Sequence, residues 1–513
     1  MKFLKNQELL KKIFIIFLII QPILDIYILF SDGVVDFFKF SPSTIIRIIS
    51  IGLLMLMLLL SIKFNKKYLW FVVYGVLLFI YLILHHITAS NFTANITGTY
   101  NYSLISELFY IVRMLLPFLV AFITYHVRLN KNNVYKIFIY FILILSSTIV
   151  LTNITCLSIK SYSETVDLID ANIFGWFFNY NYTNVDLSSK GVFTSANQMG
   201  SLLSLLLPIT IYYYFTKKDN NKLTNITLIL QSLSVLMIGT RISSYSWILI
   251  YAVMIFIYLY YTLIRKKIIF NKRLIINYLI IFVSLVVVFN FAPINMRKYA
   301  SDYKDSFISL EEETKDEIDK ISQKLESESD IDLKDNIIKF ISENYENYAI
   351  NKEFIMNIYS YKLDPLFWYD VIQMPYEERS ESRQIEQLVT SRIYENNNNY
   401  LDKWFGMSFS RFRNGNLYLE QDFKVHFYTL GVLGSLLLVY PYIIILVIAA
   451  IYLIFKARKK QNFEFLAYCF SISLMCIFGF LSGSVLDQLI ITLISGFIVG
   501  LIIRKMIGDE LDD

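Results

Sequence analysis

The chain has 513 residues, 56% of them hydrophobic and only 17% charged, with a mean hydropathy of +0.51. A soluble domain carries about 25% charged residues, so this sequence lacks the polar side chains to cover a water-facing surface. Three cysteines (Cys156, Cys469 and Cys476) and four histidines exclude a disulfide framework, a four-cysteine zinc site and a His-rich metal centre. The composition predicts a polytopic membrane protein, and the formal charge of +5 acquires meaning only when divided by region.

A spanning helix needs roughly 20 mostly apolar residues. Twelve runs qualify: 13–30, 44–62, 68–86, 104–125, 134–155, 193–215, 223–240, 242–264, 274–293, 430–455, 464–483 and 486–503. The first is not read as a signal peptide, because it contains Gln21, Pro22 and Asp25 and lacks a small-residue cleavage site. Lys and Arg follow every second span, as at Lys63, Lys66 and Lys67, at Arg128 and Lys131, and at Arg265, Lys266 and Lys267. The segment 87–103 has none. Cytoplasmic loops retain basic residues, so both termini are expected in the cytoplasm.

The predicted fold class is therefore all-α, with about twelve membrane helices and a large extracytoplasmic helical loop between spans nine and ten. The expected division is 1–293 for spans one to nine, 294–423 for the loop or cap, and 424–513 for the last three spans and a cytoplasmic tail. From 294 through 424 there are 17 Lys+Arg against 26 Asp+Glu, so the basic excess lies elsewhere, as suits a face on an anionic leaflet. Within the loop, 307–326 and 376–394 are amphipathic. A loop of this length is usually functional or a small domain.

Ionisable side chains inside a bilayer are costly and point to function or to a buried partner. Asp25, Arg47, Glu107, Arg113, Asn197, Gln198 and Arg241 all fall in the outer halves of their predicted spans. Asp25 and Arg47, at similar depth on antiparallel neighbours, are expected to pair. Arg241 taken alone reads more readily as a snorkelling interfacial residue. Together, arginines and hydrogen-bonding groups opening outward suit an anionic lipid headgroup, because the guanidinium fork binds two phosphate oxygens at once. The sequence contains no Walker loop, no GxGxxG after a strand, no GxSxG and no HExxH.

Five segments, in order, resemble the O-antigen polymerase and ligase superfamily of membrane glycosyltransferases, in its Gram-positive-type branch. They are QPILD at 21–25, KGVFTSANQMGSLLSLLLPI at 190–209, IGTRISS at 238–244, SRIYENNNNYLDKWFGMSF at 391–409 and YLEQDFKVHFYTLGVLGSLL at 418–437. The resemblance implies a polyprenyl-diphosphate-linked oligosaccharide as substrate and contact of Arg241 and Arg392 with its diphosphate; Arg113, one of the outer-half ionisable residues above, is expected to assist. Ligase-type members carry a His near the place of Glu420; here Glu420 and Asp422 stand there, with His426 further on. That departure favours a polymerase with Glu420 as base and Asp422 beside it. Asp25, Arg47, Asn197 and His426 are the expected supporting residues. At 481–487 (LSGSVLD), Ser484 stands where relatives often have a His.

A sugar joined to diphosphate already has a good leaving group, so fixed arginines and one base suffice, and neither metal nor cofactor is expected. The expected partners are the lipid-linked glycan and membrane lipid, with a flippase and a chain-length regulator as protein partners and no nucleic acid. A ligase adding one finished chain and a flippase moving the unit unchanged are the competing readings.

Overall fold

The computed structural model describes residues 6–26, 41–62, 69–97, 102–155, 157–159, 168–169, 173–178, 189–193, 195–217, 221–292, 294, 311, 314–321, 330–414, 419–455 and 462–507. Among them the chain is helical apart from one antiparallel pair of two-residue strands, Ser158–Ile159 with Leu168–Ile169. In chain order the helices used below are α1 (Gln7–Ile19), α2 (Gln21–Leu24), α3 (Pro42–Ser61), α4 (Leu69–Ser90), α5 (Leu104–His126) and α6 (Lys131–Ile154). Then come α7 (Ala196–Thr216), α8 (Asn221–Met237), α9 (Arg241–Leu259) and α10 (Lys272–Phe289). The long polar segment holds α11 (Asp330–Asn344), α12 (Pro365–Gln373), α13 (Tyr376–Arg379), α14 (Ser382–Asn397), α15 (Asp402–Phe405) and α16 (Phe409–Asn414). The chain continues through α17 (Asp422–Leu438), α18 (Pro441–Phe455), α19 (Phe463–Leu481) and α20 (Leu489–Ile507).

Ten helices among the described residues are long and apolar enough to cross a membrane, which makes this an all-α polytopic membrane protein. Two of the twelve predicted runs fall short. The run at 223–240 forms α8, which is only 17 residues long. The run at 13–30 begins as the 13-residue α1 and breaks before α2, where Pro22 enters and cannot continue the helix above it. Residues 27–30 of that run lie outside the described residues, as do Ser329, Asn220, Tyr418 and Cys156. Helix starts follow capping chemistry: Asn6, Asn130, Ser195, Thr240, Asn271 and Asn462 each accept a first-turn backbone N–H.

Two compact units emerge, one formed by 1–66, 112–299 and 440–513, the other by 67–111 and 300–439. In the first unit α7 and α20 are the inner helices, 89% and 78% buried over their apolar windows. α7 is tied to its neighbours by polar side chains. Gln231 donates to Leu203 O (2.8 Å) and accepts from Thr210 (2.6 Å), while Ser471 donates to Leu205 O (2.6 Å). Such hydrogen bonds hold helices together where apolar burial does not distinguish protein from lipid.

The second unit has its own apolar core, in which Ile337, Ile341, Ile355, Trp368, Val389 and Ile393 are buried. Of the amphipathic stretch 307–326, Ile318 and Ile321 pack on this core. The 376–394 stretch divides into α13 and α14.

Candidate functional site

The first unit gathers three motifs at one end of its helices. Ile26, just after QPILD, forms an isolated bridge with Phe193 of the KGVF segment. Ser189 N–H donates to Met237 O (2.8 Å), at the close of α8. Where α7 and α9 begin, Gly200 lies so close to Thr240 and Ser243 that a Cβ there would sit 2.9 Å from Ser243 Cβ. The Asn-x-x-Gly step at 197–200 and the Gly-Thr-Arg step at 239–241 therefore abut. Asn197 is half-buried in that first turn, and Arg241 is exposed as the first residue of α9.

At the same end, Arg47 is 2% exposed and donates to Asp25 (2.7 Å) and to Gln21 Oε1 (2.7 Å), so the expected Asp25–Arg47 pair is present. Arg113, half-buried, donates to Asp487 O (2.8 Å) and faces its carboxylate at 3.5 Å. It is thus engaged by the loop between α19 and α20.

The second unit holds the remaining candidates. Arg392 lies on α14 with its Nε 2.7 Å from Asp364 Oδ2. Asp364 caps α12 through Phe367 N–H and also accepts from the Tyr359 hydroxyl (2.9 Å). Burial works against the Asp364 charge, yet the Arg392, Tyr359 and Phe367 donors prevail and hold its carboxyl below the usual range. One edge of the Arg392 fork is therefore structural, while the side chain remains 38% exposed.

Glu420 engages a different face of the same helix. Its carboxylate accepts from Arg383 Nε (2.5 Å), and its backbone N–H donates to Glu386 Oε2 (3.1 Å). Lys424 donates to Gln387. Positions 383 and 392 are nine residues apart, which at helical geometry is about 13 Å of rise and half a turn. The arginine brought beside Glu420 is consequently Arg383, not Arg392. Glu386 is 8% exposed; its burial, reinforced by the Glu420 charge, pushes its carboxyl up to about 8 against the opposing effects of the Glu420 N–H and Arg383.

Gln421 is extended and stands at the N-cap position of α17 without a side-chain capping bond, so Glu420 and Asp422 flank one extended residue; Asp422 is buried and Glu420 part-exposed. His426 is buried on α17 with Nδ1 3.0 Å from the Tyr110 hydroxyl, and Phe409 stacks on Tyr110 at 3.4 Å.

α17 is broken at Gly431 (φ 69°, ψ −177°). The carbonyls freed by the break are taken up locally. Met407 N–H donates to Tyr428 O (2.8 Å), Ser408 N–H to Thr429 O (3.2 Å) and Tyr81 OH to Leu430 O (2.8 Å). The 405–410 segment is held in turn by helices α4 and α5. Glu107 accepts from Ser410 N–H (2.6 Å) and from the Ser408 hydroxyl, and lies 3.2 Å from His85 Nε2. His85 Nδ1 lies 2.5 Å from Phe405 O. Arg411 donates to Ala89 O (2.8 Å) and covers the Phe92 ring, so it serves the fold.

A sequence profile of the family described as O-antigen ligase like membrane protein matches residues 7–508. The chain belongs to this family. It is a multi-pass membrane protein with a glycan-processing role of the glycosyltransferase type, acting on lipid-linked glycans. Comparison with curated proteins finds no match. Sequence reasoning missed Arg383, Glu386, His85 and Tyr110 of the second unit. The first two read as ordinary charges on an amphipathic helix, and their tie to Glu420 spans 34 to 37 residues.

Proposed function

We propose that this family member is a polymerase of polyprenyl-diphosphate-linked oligosaccharide units in surface-polysaccharide assembly, in the plasma membrane with both termini cytoplasmic. The observation that carries the reading is the carboxylate–guanidinium cluster of Glu420, Arg383 and Glu386, at the place where ligase-type relatives carry a His. Transfer from a glycosyl diphosphate needs cationic donors for the departing phosphate and a base for the acceptor hydroxyl. Arg241, Arg392 and Arg113 are each assigned to the diphosphate, and the base is drawn from the carboxylates where α14 meets the acidic lead-in to α17. A flippase delivering the unit and a regulator of chain length are the protein partners this role calls for.

The family's description favours a second reading, a ligase that adds one finished glycan to another acceptor. The test is incubation of purified protein with a defined lipid-linked repeat unit, with products read by gel and mass. A ladder of lengths supports polymerisation. A single addition to a separate acceptor supports ligation, and no covalent change to the unit rejects both.

A further inference from the structure

We propose that Glu386 is the group that takes the acceptor's hydroxyl proton, with the Arg383–Glu420 ion pair beside it. The inference rests on the transferase reading above and deepens it by naming the base. α14 presents three polar side chains to the lead-in of α17: Arg383 binds the Glu420 carboxylate, Glu386 accepts the Glu420 N–H, and Gln387 receives Lys424. Two carboxylates thus meet at one helix face, and a single arginine is committed to one of them. A carboxylate neutralised by a contacting guanidinium is a weak proton acceptor.

Glu386 has no ion-pair partner among the described residues; only one backbone N–H is directed at it, and it sits on the buried face of α14 beside Ile385, Val389 and Thr390. The charged groups facing it are Glu420, which disfavours its ionisation, and Arg383, which favours it. Lys424 is turned toward Gln387 and Glu381. A desolvated carboxylate next to a second one is the stronger base of the two, and a base is most effective when its pKa lies near the working pH.

The step balances without another reactant. The acceptor oxygen bonds to the anomeric carbon, the carbon–oxygen bond to the diphosphate breaks, and its electron pair leaves with the phosphate. The hydroxyl proton goes to ionised Glu386, which releases it to solvent before the next transfer.

The test is turnover of a lipid-linked oligosaccharide by purified full-length protein across pH, with donor binding measured in parallel. Wild-type turnover should rise as pH passes through about 8. Glu386→Gln keeps an acceptor for the Glu420 N–H, should retain donor binding, and should lose about a hundredfold or more in turnover. Glu420→Gln removes the charge that holds the Glu386 proton, so the rising limb should move to lower pH. Should Glu386→Gln fail to fold, the position of that limb in Glu420→Gln decides. Near-normal turnover by Glu386→Gln, or an unmoved limb in Glu420→Gln, overturns the assignment and leaves Glu386 as a seat for the α17 lead-in. Absence of transfer by the wild type, seen before any substitution, instead rejects the transferase reading itself.

Discussion

Substituting Gly431 by Ala tests how the break in α17 is built. At φ 69° and ψ −177° the backbone occupies a region essentially closed to L side chains, at a cost of about 1–3 kcal/mol. A Cβ at Gly431 would lie 2.5 Å from Phe405 N and from Trp404 C, and 2.6 Å from Gly406 N. These are backbone atoms, so no side-chain rotation relieves the clash; a forced shift of packed structure adds about 1–3 kcal/mol. Gly406, itself at φ 82°, faces the same contact from the other side, with a virtual Cβ 2.2 Å from Thr429 O. The combined cost is about 2–6 kcal/mol, which corresponds to a fall in melting temperature on the order of 10 °C. Gly75→Ala on α4 is the control, because a Cβ there meets nothing within 4 Å. The assay is thermal inactivation of detergent-purified protein, followed by monodispersity at a fixed heating rate. Gly431→Ala melting within a degree or two of wild type, as Gly75→Ala should, would refute the steric account of the break.

Arg241→Lys and Arg392→Lys keep a charge but lose the planar fork, so each should cut polymer yield about tenfold or more at unchanged protein level; normal polymer from both returns these arginines to anchoring roles. In a background with Cys156, Cys469 and Cys476 replaced by Ser, Cys at Ser329 should react with an impermeant thiol reagent on whole cells, and Cys at Asn220 should not. The reverse pattern rejects the proposed sidedness. Asp25→Ala leaves Arg47 with Gln21 as its one remaining partner among the described residues, in a nearly closed site, and should cost about 3 kcal/mol, seen as a lowered melting temperature, whereas an unchanged melt makes the pair dispensable.

The spanning helices were legible because twenty apolar residues in lipid leave the backbone little choice but a helix. The exceptions have local causes: Pro22 interrupts the first run, and α8 ends at Met237 because Gly239 turns the chain (φ 69°) toward the Thr240 cap. Gly431 sits within an apolar stretch, and its identity alone does not say whether it continues a helix or breaks one. That depends on the 404–408 segment, more than twenty residues earlier. The Asp25–Arg47 pair was legible because antiparallel neighbours fix relative depth. The sequence offers Arg392 and Glu420 as parts of the same chemistry, yet Asp364 holds Arg392 on one face of α14 while Arg383 and Glu386 seat Glu420 on another. Sequence order says which motifs exist, whereas helix phase decides which of them meet.

The inner position of α20 bears on how the first unit is made. Phe497 packs on Phe14 and Phe138, and Gly496 and Gly500 let α20 lie directly against the Pro117 and Ala121 carbonyls of α5. All of those partners are synthesised before α20 emerges. During translation the earlier helices must therefore either stand apart around a slot filled by lipid or remain with the insertion machinery. The packing of this unit is completed only with α20, and its arrival is the event that closes it.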